Sequence, residues 1–460
     1  MSGLPLEPSA ADRDELSGGI LEFLHRWIDA RDGAPASWPE PDGALIDSLL
    51  RAPSVDGIAL DQLLDAVGRA ADTGFDTAGG AMLSYIPSGG LYTAALGGLV
   101  GSVTNQYTGG AHASPGMTAI EESVVRWMVA LFGLPATGGG VLLSGGSMAN
   151  QVAVVTARSK LGDDFRDGVV YCSTRTHHSV EKAARIAGIG ADRVRLIASD
   201  EHRRLDMDAL ARQVAEDTNN GLRPMMIVAN AGTTDTGAID PLNACADIAA
   251  ASGAWFHADA AYGGFFQLTE RGRARLSGIE RADSITVDAH KSLFLPFGVG
   301  GLLVRDRAAV VEAHQGRGAY MQDVPSTDLP HYMEMGPELT RPNRGLQVWL
   351  ALNLHGTDRF RDELDRMLDL AEHAAARLAS TPGVELLDAP ELSVVALRAA
   401  AGDDDTRRLL DVLVSSREVH VSSTTIDDRV YVRLAFLSQR TTTAIADRAI
   451  ELIASAASAD

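Results

Sequence analysis

Residues 140–160 read GVLLSGGSMANQVAVVTARSK, and the fold is read outward from them. A short apolar run, Val141-Leu142-Leu143, meets the small residues Ser144-Gly145-Gly146-Ser147. From Met148 the apolar period becomes helical. A strand, a tight turn and a helix in that order form half of a β-α-β unit. The same alternation continues to about residue 305. VVYCS (169–173), RVRLI (193–197), PMMIVAN (224–230), AWFHAD (254–259), SITVD (284–288) and GGLLV (300–304) read as further strands. HSVEKAARIAG (178–188), MDALARQVAED (207–217) and PLNACADIAAASG (241–253) read as helices between them. Such alternation implies an α/β fold, a mostly parallel sheet covered on both faces, with ligands at the carboxyl ends of its strands.

The flanks differ. Residues 1–85 show an amphipathic pattern from Glu15 to Arg31, a Pro-rich break and two short helical patterns, with no sheet. A segment with so little core of its own is expected to pack on another surface. After about residue 349, long helical patterns (348–356 and 359–380) precede the alternating segments 384–388, 393–399 and 430–436 and a last helix from Thr441 to Ala454. Three parts result: a helical segment 1–85, a large domain 86–348 and a small α+β domain 349–460.

Of the 460 residues 45% are hydrophobic and 22% charged, an ordinary globular balance. The formal net charge of −21 opposes binding to nucleic acid or an anionic membrane surface. A small anion is not excluded, since a local set of backbone N–H groups holds phosphate regardless of global charge. Cys172 and Cys245 lie in apolar runs and make no disulfide framework. The N-terminal residues lack the apolar stretch of a signal peptide, and no apolar run approaches the roughly 18 residues that span a bilayer. A cytoplasmic enzyme is the expectation.

Four motifs carry chemistry. The turn Ser144–Ser147 opens a helix, so free N–H groups and a favourable dipole could meet an oxyanion, with a Ser147 hydroxyl beside them; a plain capped turn is the alternative. Asp259, in FHADAAYG (256–263), ends an apolar strand, where a carboxylate needs a partner. A protonated heterocyclic nitrogen is one such partner; a metal ion or a helix N-cap role are others. Ala261 would let a flat ring lie against the backbone. Lys291, in SITVDAHK (284–291), follows another strand directly, a costly place for a cation and a suitable one for a Schiff-base lysine, unless it reaches to the surface. His290 beside it is a core histidine or a phosphate contact. His177, in TRTHHSVEK (174–182), stands where a ring could stack on a planar ligand, or is a structural histidine.

In this order and spacing the motifs resemble the group II pyridoxal-phosphate (PLP) decarboxylases, which include the aromatic-L-amino-acid and glutamate decarboxylases. The resemblance runs from about Tyr85 to the end and is strongest between 137 and 350. It implies the type I, aspartate-aminotransferase-like fold, with a mostly parallel seven-stranded sheet in the large domain. It also implies a homodimer with active sites at the interface, PLP as cofactor and no metal. Carried over by motif, Lys291 would hold PLP as a Schiff base, Asp259 would pair with the ring nitrogen, and His177 and Ala261 would flank the ring. Gly145, Gly146, Ser147 and His290 would hold the phosphate, and Thr234 would line the ring. Tyr332, or failing it Tyr320, would be the loop tyrosine implicated in proton donation, with a packing role as the alternative. Tyr85, Pro87 and His112 would shape the substrate pocket, the last reaching in from the partner subunit. Ser292, Val299, Pro342-Asn343 and Met148 depart from the family's usual residues without removing a cofactor contact.

The expected reaction is α-decarboxylation of an L-amino acid, an aromatic one by slight preference. The alternatives are decarboxylation of an acidic or other polar amino acid, and an aldehyde synthase that also deaminates oxidatively. A cofactor-binding protein without turnover is the reading from outside enzymology.

Overall fold

The computed structural model describes residues 4–316 and 328–458. Five helices precede the first strand: α1 (Ala10–Asp29), α2 (Gly43–Leu49), α3 (Leu60–Ala71), α4 (Tyr92–Thr104) and α5 (Pro115–Leu131). Ser9 and Asp12 close a reciprocal capping box at the start of α1. Neither α1 nor α3 buries a single residue. By contrast α5 buries one whole face, Val124, Val125, Met128 and Val129 among it.

The large sheet has seven strands: β1 (Gly139–Leu143), β2 (Gly168–Ser173), β3 (Val194–Ile197), β4 (Arg223–Asn230), β5 (Trp255–Ala260), β6 (Ser284–Asp288) and β7 (Gly300–Val304). Their order is β1-β7-β6-β5-β4-β2-β3. Only β7 runs against its neighbours, pairing antiparallel with both β6 and β1. Residues 289–299, which join β6 to β7, are too few to build the helical crossover that a parallel neighbour needs. Five of the seven strands are buried at every residue, as a sheet covered on both faces requires.

The covering helices are α6 (Gly146–Ser159), α7 (Ser179–Ile186), α8 (Met207–Asn219) and α9 (Leu242–Ser252), followed by the short α10 (Glu270–Arg275) and α11 (Ala289–Ser292), then α12 (Arg307–His314). Helix α6 crosses the sheet and touches β4, β5, β6 and β7. That places its first turn over the middle of the sheet. Helices α13 (Arg344–His355) and α14 (Thr357–Ala379) lead to a second sheet of four antiparallel strands, β8 (Val384–Leu386), β9 (Val394–Ala399), β10 (Ser422–Ile426) and β11 (Arg429–Ala435), in the order β10-β11-β9-β8. Helices α14 and α15 (Asp403–Ser416) pack on it, and α16 (Thr443–Ala457) packs on those two helices.

Two buried cations tie these layers to the strand ends. Arg341 makes a paired contact with the Glu121 carboxylate of α5 at 2.6 and 2.9 Å and donates to the Leu142 carbonyl at 2.7 Å. Arg433, on β11, donates to the carbonyls of Thr234, Asp235 and Tyr85 and to the Ser422 hydroxyl. The second sheet thus holds in place a loop at the end of β4.

Candidate active site

One cavity of about 330 Å³ opens at the carboxyl ends of β1, β2, β4, β5 and β6. That volume lies in the range of small-molecule sites, about 300–1,000 Å³. Lys291, Asp259, His177, Ala261, His290, Thr234, Gly145, Gly146 and Ser147 all line it. Every residue the sequence assigned to cofactor binding therefore meets in a single space.

The floor is built from close backbone approaches. Gly145 sits at φ +155°, in the region that excludes a side chain, and a Cβ there would press on the His290 ring at 3.0 Å. A Cβ on Gly146 would meet Ala261 Cβ and Asp288 Oδ2, each at 3.0 Å. In α6 the amides of Met148 and Ala149 return to the Gly145 carbonyl, so the amides of Gly146 and Ser147 precede the first helical bond. Amides so placed at a helix start are the kind that can meet an oxyanion.

Asp259 is 7% exposed and accepts on both oxygens, from the Ala261 N–H at 3.2 Å and from Asn150 Nδ2 at 2.8 Å. His177 Nδ1 faces the Ser179 hydroxyl at 2.8 Å and the Ser179 N–H at 3.3 Å. Burial holds the His177 imidazole below its ordinary value, so the ring is neutral near pH 7. His290 donates its Nδ1–H to the Val299 carbonyl at 3.0 Å and turns Nε2 towards Asp288 at 3.6 Å; burial lowers its pKa as well. Lys291 Nζ stands 3.1 Å from Asp288 Oδ2.

Several polar residues of the site were not singled out from the sequence. Asn150, Ser179, Asn230 and Asp288 all line the cavity. All four lay inside segments already quoted, and a polar residue on an otherwise apolar helix face or strand end was the available signal.

Other expected site residues lie elsewhere. Tyr332 is 1% exposed in the core, its hydroxyl donating to Glu122 Oε2 at 3.1 Å and its ring under the Arg341 guanidinium at 4.9 Å. Burial, with the Glu121 and Glu122 carboxylates beside it, pushes the phenol well above its ordinary pKa. Tyr320 lies outside the described residues. Tyr85, 57% exposed at φ +53°, Pro87 and His112 do not line this cavity in the single subunit. His112 is exposed and meets His331 edge to face at 5.9 Å.

The residues present fit PLP: Lys291 brings an amine, Asp259 a buried carboxylate and the Gly145–Ser147 turn its first amides, and His177 and Ala261 line the same cavity. Among the described residues no group of His, Cys, Asp and Glu could hold a metal ion, and no helix is long and apolar enough to cross a membrane.

Comparison with known proteins agrees. Residues 55–400 match the pyridoxal-dependent decarboxylase conserved domain. The chain is 34% identical over 373 residues to the aromatic-L-amino-acid decarboxylase of Bacillus atrophaeus, covering 78% of each chain. It is 36% identical over 361 residues to the L-2,4-diaminobutyrate decarboxylase of Rhizobium meliloti (strain 1021), covering 76% of this chain and 72% of that one. Among solved structures, Oryza sativa TDC with PLP and tryptamine superposes with a TM-score of 0.92 at 25% identity, over 98% of this chain and 99% of that one. The chain belongs to the pyridoxal-dependent decarboxylases and is a PLP-dependent carboxy-lyase acting on an amino acid.

Proposed function

We propose that the chain is an L-amino acid α-decarboxylase with a preference for an aromatic substrate, working as a homodimer. The observation that carries the reaction is the meeting of Lys291, Asp259, His177 and the Gly145–Ser147 turn in one cavity. PLP, when bound, supplies a conjugated ring that accepts the electron pair left at Cα when the carboxylate departs. Lys291 would hold the cofactor through Nζ. Gly145, Gly146, Ser147 and His290 would hold the phosphate. Asp259 would favour a proton on the ring nitrogen, and His177 and Ala261 would border the ring. Thr234, fixed through its carbonyl by Arg433, borders the ring.

The aromatic preference rests on the Bacillus atrophaeus relative and on the lining itself, in which no arginine stands ready for a side-chain carboxylate among the described residues. The Rhizobium meliloti relative makes L-2,4-diaminobutyrate the competing substrate. Tyr85, Pro87 and His112 enter as substrate contacts only in the dimer, where His112 would come from the second subunit. Helices α1 and α3 suit a dimer surface: no residue of either is fully buried within the subunit, and Leu63 and Val67 are about half exposed. Two buried, free cysteines fit the cytoplasmic reading.

The test is CO₂ release from a panel of L-amino acids by the PLP-loaded protein, with ammonia and peroxide followed alongside and mass measured by light scattering. Turnover of tyrosine, tryptophan or dopa without peroxide supports the reading. Turnover confined to diaminobutyrate or an acidic amino acid overturns the preference. Stoichiometric ammonia and peroxide make the chain an aldehyde synthase instead, and a monomeric mass removes the dimer.

A further inference from the structure

Behind the cavity, Asn150 joins two catalytic groups to a buried layer of polar side chains. Asn150, Ser179, His257, Ser284 and Thr286 are each at most 3% exposed, and all are satisfied. The Asp259 carboxylate sets the direction of donation. A carboxylate accepts and never donates, so the Asn150 atom 2.8 Å from Asp259 Oδ2 is the amide nitrogen. Its second N–H then goes to the Ser179 hydroxyl at 2.9 Å. The amide oxygen takes the Thr286 hydroxyl at 2.7 Å and His257 Nε2 at 3.1 Å, so His257 carries its proton on Nε2.

His257 is a neutral ring, since burial pushes its pKa down to about 4. Its Nδ1 therefore accepts from the Ser284 hydroxyl at 2.7 Å, while Ser284 accepts the Trp255 Nε1–H at 2.7 Å. On the other side Ser179 has accepted from Asn150, and both its hydroxyl and its backbone N–H point at His177 Nδ1. A backbone N–H can only donate, so His177 Nδ1 is a lone pair and Nε2–H is what His177 has left for the cavity it lines.

We infer that Asn150 is a positioning residue whose single amide aims Asp259 at the cofactor ring and commits His257, and through Ser179 His177, to the Nε2–H form. The role towards the cofactor rests on the assignments of Asp259 and His177 proposed above; the hydrogen-bond direction does not. Asparagine is the side chain that offers two N–H bonds on one side and an oxygen on the other. Asn150→Asp keeps the shape and turns the donor facing Asp259 into a second carboxylate, so that the two compete for one proton beside His257.

The experiment uses [¹⁵N]histidine-labelled protein without cofactor and long-range ¹H–¹⁵N spectra, with signals assigned by His177→Asn and His257→Asn. The wild type is expected to show bare Nδ1 and protonated Nε2 at both rings. Asn150→Asp is expected to add the second proton to His257 and to weaken PLP binding at least tenfold, with Tm kept within a few degrees. A wild-type spectrum with Nδ1–H at either ring overturns the inference, whether or not the variant folds. So does a folded Asn150→Asp that binds PLP like the wild type. Failure of the wild type to bind PLP would instead remove the cofactor assignments and leave the tautomers standing.

Discussion

Lys291 Nζ lies 3.1 Å from Asp288 Oδ2, three residues back along the same turn, and Asp288 is almost fully buried while the lysine side chain is about a quarter exposed. The other oxygen, Oδ1, is buried without a hydrogen-bond partner among the described residues. Lys291 is therefore what compensates a carboxylate that burial would otherwise penalise. Lys291→Ala is expected to abolish the borohydride-reducible PLP adduct and also to destabilise the cofactor-free protein. Breaking a buried pair costs several kcal/mol, and partial exposure of the lysine reduces this to about 2 kcal/mol. Adding Asp288→Asn to Lys291→Ala should restore most of that loss, and urea unfolding of the four proteins in the cycle measures it. An additive double variant would show that the two side chains do not act as a pair.

Tyr332 separates a packing role from a chemical one. Its hydroxyl is one of three donors to the Glu122 carboxylate, which also receives Arg126 and Arg307, each at 2.8 Å. Removing the hydroxyl leaves the carboxylate still paired with both arginines, so Tyr332→Phe should cost about 1 kcal/mol of stability. With its hydroxyl outside the cavity, CO₂ release should stay within a few-fold of wild type. A loss of 100-fold or more, or conversion to ammonia and peroxide release, would return Tyr332 to the reaction and demand that it leave this pocket.

Much of this was legible in the sequence, for a physical reason. All seven strands of the large sheet lie within about a residue of the apolar runs that announced them, because a strand buried on both faces has little choice of residue. β10 was missed: Ser422-Ser423-Thr424-Thr425 reads as a loop and becomes a strand by pairing with β11 at the edge of its sheet. α15 was missed as well, its start hidden in the charged run after Gly402. The four chemical motifs were readable because each follows a strand directly. Asn150 was not, since its meaning depends on β5, β6 and α7 arriving around it, and no local pattern encodes that. The reversed β7 was implicit in the short 289–299 link, although alternation alone suggests a parallel strand.

Stability should fall in acid through the buried histidines. His257 is held down to about 4, against 6.5 for an exposed ring, with burial as the cause. The unfolded chain therefore takes up a proton before the folded one does. Stability is full above about pH 6.5 and is lost as pH falls towards 4, by up to about 3 kcal/mol from this residue. His177, His290 and His314, also lowered by burial, act in the same direction. His257→Gln should unfold more easily at pH 7.5 yet show a visibly shallower decline between pH 6.5 and 4.5. Urea midpoints across that window measure the slope, and parallel profiles for variant and wild type would show that His257 is already charged in the folded protein.

Gly146 tests the oxyanion turn with a single methyl group. Its φ raises no objection to alanine, so the effect must come from space rather than backbone strain. The added Cβ would lie 3.0 Å from Ala261 Cβ and from Asp288 Oδ2. One neighbour is the wall proposed for one face of the ring, and the other is the carboxylate that pairs with Lys291. Neither is a flexible side-chain end able to swing aside. Gly146→Ala is thus expected to narrow the cavity where the phosphate and ring would meet. PLP affinity should fall at least tenfold, the equivalent of about 1.4 kcal/mol, while gain in helix propensity at the start of α6 keeps the cofactor-free protein near wild-type Tm. Titration of the cofactor-free variant with PLP reads the first quantity and thermal unfolding the second. Undiminished affinity would place the phosphate away from this turn, and the binding role of Gly145 and Ser147 would fall with it.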